Sequence, residues 1–258
     1  MNLDAYFRRI GYTGLPETTL ETLRALHRAH MLAVPFENLD IHLQQRIVLD
    51  EALLFDKIVH QQRGGFCYEQ NGLFAAVLRH MGYDVTLLEA RVNVREWEAG
   101  TPFDHLALMV QLDERWLVDV GFGESFREPL RFDFGGPQKQ ANGVFRVVHD
   151  GVEGVHARQA NGGDWHDEYR FRLKPRTLRD FVEGCDYHQS SPQSHFTQQR
   201  MCSLATPKGR ITLSDRRLII TENGHRTERD LDNEADFQRH LSEQFGIHDL
   251  HFALKRSI

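Results

Sequence analysis

The sequence predicts an α+β fold in which helices come first, a sheet or barrel follows, and a small α/β piece closes the chain. Three observations predict it. Apolar residues recur at helical spacing through the first eighty or so of the 258 positions, branched residues gather into short runs from Val85 onward, and the last third mixes strand-like runs with one amphipathic stretch. Hydrophobic residues make up 40% of the chain and charged residues 26%, which is enough apolar material for a packed core.

The helical segment begins with Leu3, Tyr6, Phe7 and Ile10, then Leu20, Leu23 and Leu26. Asp50 stands where a cap belongs, ahead of a helix carrying Leu53, Leu54, Ile58 and Val59, and Arg63-Gly64-Gly65 breaks that helix. A further helix carries Leu73, Phe74, Val77, Leu78 and Met81 and ends at Gly82. Strands are expected over Val85 to Val94, His105 to Leu112 and Trp116 to Val120, the last two joined by a polar turn around Asp113 and Glu114. Val144 to Val148 and Tyr169 to Leu173 read as further strands, separated by Gly-, Asn- and Asp-rich loops over 134–143 and 160–167. Thr177 caps a helix to about Gly184, and 186–195, polar and containing Pro192, reads as loop. Arg210 to Leu213 and Leu218 to Thr221 are strand-like, Asn223-Gly224 is a hairpin turn, and Glu234 to Phe245 is the closing helix.

The formal net charge is −6 and no run of Lys and Arg occurs, which argues against nucleic acid as a partner. The N-terminus has early charge and no apolar signal segment, and no stretch approaches the ~18 uncharged apolar residues of a membrane helix. Three cysteines, Cys67, Cys185 and Cys202, do not make a disulfide framework; a reducing cytoplasm is expected, with thiols free for chemistry.

The densest local signal is Arg63-Gly64-Gly65-Phe66-Cys67-Tyr68-Glu69-Gln70-Asn71. Glycines allow a tight turn, and the cysteine follows at the start of a helix, where unpaired amides and the macrodipole favour a thiolate. A backbone N–H at that turn can also steady an oxyanion. Cys185 and Cys202 have no such setting and read as structural. A cysteine nucleophile needs a base, and the base an orienting group. His105 opens one strand. Asp119 lies between Val118 and Val120, where a carboxylate is costly unless hydrogen-bonded, and an imidazole N–H is a suitable partner. Because side chains alternate along a strand, a two-residue Asp113-Glu114 loop would put the two on opposite faces; an odd loop or a bulge puts them diagonally on one face. The triad therefore predicts an odd connection.

These motifs, in this order, resemble the arylamine N-acetyltransferases, also called N-hydroxyarylamine O-acetyltransferases. The resemblance runs over nearly the whole chain: Ala5-Tyr6-Phe7 with Arg9-Ile10-Gly11-Tyr12, Val34-Pro35-Phe36-Glu37-Asn38-Leu39, the cysteine turn, the strands around His105 and Asp119, Leu173-Lys174-Pro175-Arg176-Thr177, and Ser191-Pro192-Gln193-Ser194-His195-Phe196. It implies a helical bundle (1–83) carrying the nucleophile, a β-barrel (84–175) carrying His and Asp, and an α/β lid (176–258) around a cysteine-protease/transglutaminase-like core. It implies a Cys67–His105–Asp119 triad, acetyl-CoA as the donor with no tightly bound cofactor, and aromatic amines, hydrazines or N-hydroxyarylamines as acceptors. It places Phe36 and Phe122 at the acceptor, and Gly123, Tyr187 and Gln193 near the coenzyme. Two departures stand out: Asp104 precedes His105, and the chain ends at Ile258, earlier than many bacterial relatives.

Two rival readings follow from the same residues. A cysteine hydrolase shares the Cys, His, Asp order, but Cys67 and His105 are far closer than the ~130 positions of papain-like proteases. Fifteen histidines suggest metal, yet there is no His-Glu-x-x-His and no Cys-x-x-Cys, so no metal site is expected. Arg63 and Glu37 are expected to form a buried structural pair.

Overall fold

The computed structural model describes residues 1–92, 101–160, 163–248, 250 and 252. Helices α1 (Leu3–Ile10) and α2 (Leu20–Ala33) open the chain, capped by the side chains of Asn2 and Thr19. After the short strand β1 (Phe36–Glu37) and the single turn α3 (Leu39–His42), Asp50 caps α4 (Glu51–Phe55), its Oδ1 accepting from the amides of Ala52 and Leu53. That helix runs on as a π-helical turn, Asp56–His60, and the Arg-Gly-Gly break leads into α5 (Cys67–His80).

Eight antiparallel strands follow: β2 (Asp84–Val92), β3 (His105–Gln111), β4 (Arg115–Val118), β5 (Leu130–Arg131), β6 (Gln138–Gln140), β7 (Gly143–His149), β8 (Glu153–Gln159) and β9 (Trp165–Arg176). Their order is β5-β4-β3-β2-β9-β8-β7-β6, and β5 at one end reaches β7 near the other, so the sheet curls into a nearly closed barrel. The inner strands are buried on both sides, which is why they read as unbroken apolar runs. On β3, Leu106, Leu108 and Val110 join the helical core, while Ala107 faces the barrel interior with Leu88, Ala90, Leu117 and Phe171.

The chain closes with α6 (Val182–Ser190), α7 (His195–Gln198), strands β10 (Met201–Thr206), β11 (Gly209–Ser214), β12 (Arg217–Glu222) and β13 (His225–Asp230), and α8 (Glu234–Phe245). These strands form a second sheet, β1-β10-β11-β12-β13, whose edge is the β1 strand from the N-terminal part. A third apolar cluster, including Leu39, Cys202, Leu213, Phe237 and Leu241, packs α8 on it. Asn223 and Gly224 both have positive φ, 51° and 81°, and make the two-residue turn between β12 and β13 that the dipeptide signals. Among the described residues no helix is long and apolar enough to cross a membrane.

Several expectations need correction. Thr177 caps only a 3₁₀ turn, Leu178–Phe181, and the chain then continues as α6 through Ser190, so residues 186–190 are helix rather than loop. Gly184 is not the stop that its residue type suggests. It is a close approach: a Cβ there would lie 2.5 Å from the carbonyl oxygen of Phe103. The expected 134–143 loop contains β6, β9 starts at Trp165, inside the expected 160–167 loop, and β8 and β10 were not anticipated. β4 ends at Val118, so Asp119 lies just beyond the strand. The strand expected to Val94 is described only to Val92; Val94 lies outside the described residues.

Three histidines are wholly buried: His27, His30 and His156. Burial pulls His27 and His156 down to about 4 and His30 to about 3. Their folded values lie below the unfolded ~6.5, so the stability that they contribute is complete above pH 6.5 and is lost as pH falls toward 4. The free energy of unfolding, measured by denaturant titration, should decline below pH 6.5 with a slope reaching about 4 kcal/mol per pH unit if all three act together. A flat profile between pH 7 and 5 would show that these rings protonate in the folded state.

Candidate active site

Cys67 is the first residue of α5 and is buried. The helix start is held by Glu69, whose Oε2 accepts from the Phe66 amide at 3.1 Å. Two features favour a thiolate: the free amides of the first helical turn and the backbone of Leu106, which draws the thiol's pKa down. Burial outweighs them. It pushes the Cys67 thiol up, with Asp104, Asp119 and Cys185 adding to it, so the lowering expected from the helix start alone is reversed. Ionisation then requires a group in the same enclosure that takes the proton.

His105 and Asp119 meet as the strand geometry requires. Gln111 pairs with Arg115, so Leu112, Asp113 and Glu114 form a three-residue connection, and the register carried on from Leu108↔Val118 puts residues 105 and 119 diagonally on one face. The odd connection expected from the sequence is present. His105 Nε2 lies 2.7 Å from Asp119 Oδ2. Asp119 Oδ1 accepts from Asn71 Nδ2 at 2.8 Å and from the Gly121 amide at 2.9 Å. Burial pulls this carboxyl upward, but His105, Asn71 and the Gly121 amide outweigh it and hold Asp119 below the usual carboxylate range. An ionised carboxylate only accepts, so His105 Nε2 carries the hydrogen that faces Asp119.

Arg63 and Glu37 pair as expected, within a larger buried network. Arg63 contacts Glu37 Oε1 at 2.8 Å and Asp40 Oδ1 at 2.7 Å. Lys57 contacts Asp40 Oδ2 at 2.7 Å and Glu69 Oε1 at 2.6 Å. Glu37 Oε2 accepts from the Leu39 amide at 2.7 Å. The turn before Cys67 is thus tied to α3, α4 and β1.

Cys67 and His105 line one cavity of about 330 Å³. Phe36, Phe122 and Gly123 line it too; Phe122 packs edge-on against His105 with ring centroids 5.3 Å apart. Tyr187 and Gln193 do not reach it and are exposed, Tyr187 on α6 and Gln193 between α6 and α7. Asp104, next to His105 in the chain, is held by other partners: its Oδ1 lies 2.9 Å from His188 Nε2, and its Oδ2 accepts from the Val92 amide. Sequence reasoning missed His188, Asn71, His195, Phe196 and the polar wall of Ser203, Arg210 and Thr212. Asn71 had a signal, four positions after Cys67 and hence on the same helix face. A larger groove of about 850 Å³ is lined by Arg200 and by Asp215 and Glu234, both of which pair with Arg200, and holds none of Cys67, His105 and Asp119.

A buried cysteine at a helix start, opening on the same cavity as a histidine held by a carboxylate, is an arrangement suited to enzymes that transfer acyl groups. The N-acetyltransferase family model matches residues 19–252. The chain is 37% identical over 249 residues to the arylamine N-acetyltransferase of Escherichia coli, covering 95% of this chain and 88% of that one. The solved structure of the arylamine N-acetyltransferase from Salmonella typhimurium superposes with a TM-score of 0.89 at 34% identity, covering 95% and 90%. That of the Mycobacterium marinum arylamine N-acetyltransferase in complex with CoA superposes with a TM-score of 0.87 at 34% identity, covering 95% and 93%. The chain belongs to the arylamine N-acetyltransferase family and is an acyltransferase.

Two substitutions test the architecture of the site. Arg63→Met leaves the Glu37 and Asp40 carboxylates buried without their guanidinium, and should lower stability by about 3–5 kcal/mol in denaturant titration. Gly121→Ala should lower the acetyl-transfer rate about tenfold to a hundredfold in a folded protein, since its Cβ would lie 2.8 Å from the Cys67 Cα and 2.8 Å from Asn71 Nδ2. Unchanged rates in a folded Gly121→Ala protein would show that the approach of Gly121 to Cys67 is not critical.

Proposed function

We propose that this enzyme moves an acetyl group from acetyl-CoA to Cys67 and then to an arylamine, hydrazine or N-hydroxyarylamine. The observation that carries the reading is the single cavity shared by Cys67 and by His105, whose Nε2 is held 2.7 Å from Asp119. In the first half-reaction His105 Nδ1 takes the Cys67 proton, and the sulfur attacks the thioester carbonyl. The carbon–sulfur bond to the coenzyme breaks, and the leaving thiolate recovers the proton from His105. Because burial disfavours a lone thiolate, the imidazolium formed beside it, steadied by Asp119, is what makes the ion pair tolerable. In the second half the acceptor nitrogen or oxygen attacks the Cys67 thioester, His105 takes the acceptor proton, and Cys67 is released. The amides at the start of α5 are suited to steady the oxyanion in both steps.

Phe36, Phe122 and Phe196 give the cavity flat apolar walls for an aromatic ring. Gly123 would lie against the reacting end of the coenzyme. Tyr187 and Gln193, outside the cavity, would meet only the part of the coenzyme that extends beyond it. All three cysteines are unpaired, in keeping with a reducing compartment such as the cytoplasm. Intact-protein mass spectrometry after mixing with acetyl-CoA should show a gain of one acetyl group in the wild type, removed by an added arylamine, and no gain in Cys67→Ala. An acetyl group found elsewhere, or none on the wild type, would sink the mechanism.

A further inference from the structure

One wall of the cavity is built by the second sheet. Ser203 pairs with Thr212, and Ala205 with Arg210, so Ser203, Arg210 and Thr212 share one face of β10 and β11, and all three line the cavity. Ser203 Oγ and Thr212 Oγ1 are 2.7 Å apart. Arg210 NH1 donates to Ser203 Oγ at 2.9 Å, and its NH2 donates to the Gly123 carbonyl. Both acceptors are neutral, and among the described residues no carboxylate comes within ion-pair distance of Arg210.

The surroundings supply the missing negative charge only in part. Glu124, also on the cavity wall, is engaged by Arg158 at 3.2 Å, and Arg127 is anchored near the same strand by the carbonyls of Thr206 and Gly209. The other carboxylate at the cavity, Asp104, is bound to His188. Burial pulls the Arg210 guanidinium down to about 10, with Glu124 opposing and Arg127 and Arg158 adding, so it is charged at neutral pH. A desolvated cation whose one nearby carboxylate is already paired elsewhere is unfavourable, and a ligand that brings an anion of its own relieves it.

The geometry points to Arg210 as the receptor for an anionic substituent on the acceptor, a carboxylate carried by an aromatic amine, with Ser203 and Thr212 as additional hydrogen-bonding groups. The proposal rests on the acetyl-transfer reading above. The rest of the cavity suits such a molecule: Phe36, Phe122, Phe196 and Met201 take the ring, and Cys67 lies in the same space. The coenzyme's phosphates fit the position less well, because they sit at the far end of the long pantetheine arm from the sulfur that meets Cys67.

The test has two arms. In the first, benzoate and benzamide, which have no amine to acetylate, are titrated against alkylation of Cys67 by iodoacetamide. Benzoate should protect the wild type better than benzamide, and that preference should vanish in Arg210→Met and persist in Arg210→Lys. In the second, kcat/KM is measured for 4-aminobenzoate and 4-aminobenzamide with acetyl-CoA. The ratio of the two should fall about tenfold to a hundredfold in Arg210→Met, as expected for loss of a charge-assisted hydrogen bond. Equal protection by both probes in the wild type overturns the proposal. So does an unchanged ratio in Arg210→Met accompanied by a raised KM for acetyl-CoA, which would assign Arg210 to the coenzyme. If neither amine is acetylated by the wild type, the transferase reading fails, and the protection arm still decides the role of Arg210. Should Arg210→Met not fold, the wild-type preference and the Arg210→Lys result decide it.

Discussion

Asp119 is enclosed by protein on every side and carries a negative charge, a state that is costly unless hydrogen bonds and an opposing dipole or charge compensate it. Both of its oxygens are engaged, one by His105 and the other by Asn71 and the Gly121 amide. The Asn71 contact reaches further than the carboxylate. Asn71 stands four residues after Cys67 on α5, one turn along the same face, and its amide also donates to the Leu106 carbonyl while its oxygen accepts from the Val120 amide. The group that orients the imidazole therefore also locates the helix that carries the sulfur. Cysteine, histidine and carboxylate are set by one set of bonds rather than by three independent elements.

The other end of that constraint is ionic. Three carboxylates, Glu37, Asp40 and Glu69, share two cations, Lys57 and Arg63, out of water. Burial, opposed by Lys57 but reinforced by Glu37 and Asp40, pushes Glu69 up to about 7. Glu69 also caps the Phe66 amide, so the start of α5 is fixed by a group whose charge is shared across the cluster. Such networks hold a unique arrangement well, since removing a single member leaves its partners buried and uncompensated.

How much of this was legible follows from which interactions are local. The turn at Arg63–Cys67 announces itself, because glycines and a following cysteine at a helix start are neighbours in the chain. The facing of His105 and Asp119 reduced to the parity of one short connection, which is also local. Asp104 could not be read, because its partner His188 lies eighty-four positions away on a helix whose polar composition looked like loop. β13 and most of β8 lack an apolar face and take their place through backbone pairing, which periodicity does not report. Arg210 fell within a strand that was recognised, but whether it faces the cavity depends on pairing with β10, and that strand was not anticipated.

The two-residue strand β1 connects both halves of the cavity wall. Phe36 bridges to Gly65, just ahead of Cys67, and the Glu37 backbone amide donates to the Gly65 carbonyl at 3.0 Å. The same two residues pair with Ser203 and Cys202 of β10, while Asn38 binds the carbonyls of Phe196 and Gln199 and the amide of Met201. The closing sheet is therefore stitched to the turn before Cys67 through main-chain ladders. Under the acetyl-transfer reading, reactants of quite different size, a long coenzyme and a compact acceptor, take turns in the cavity that these ladders help to wall. Sequential occupancy of that kind is what a relay through a covalent intermediate requires.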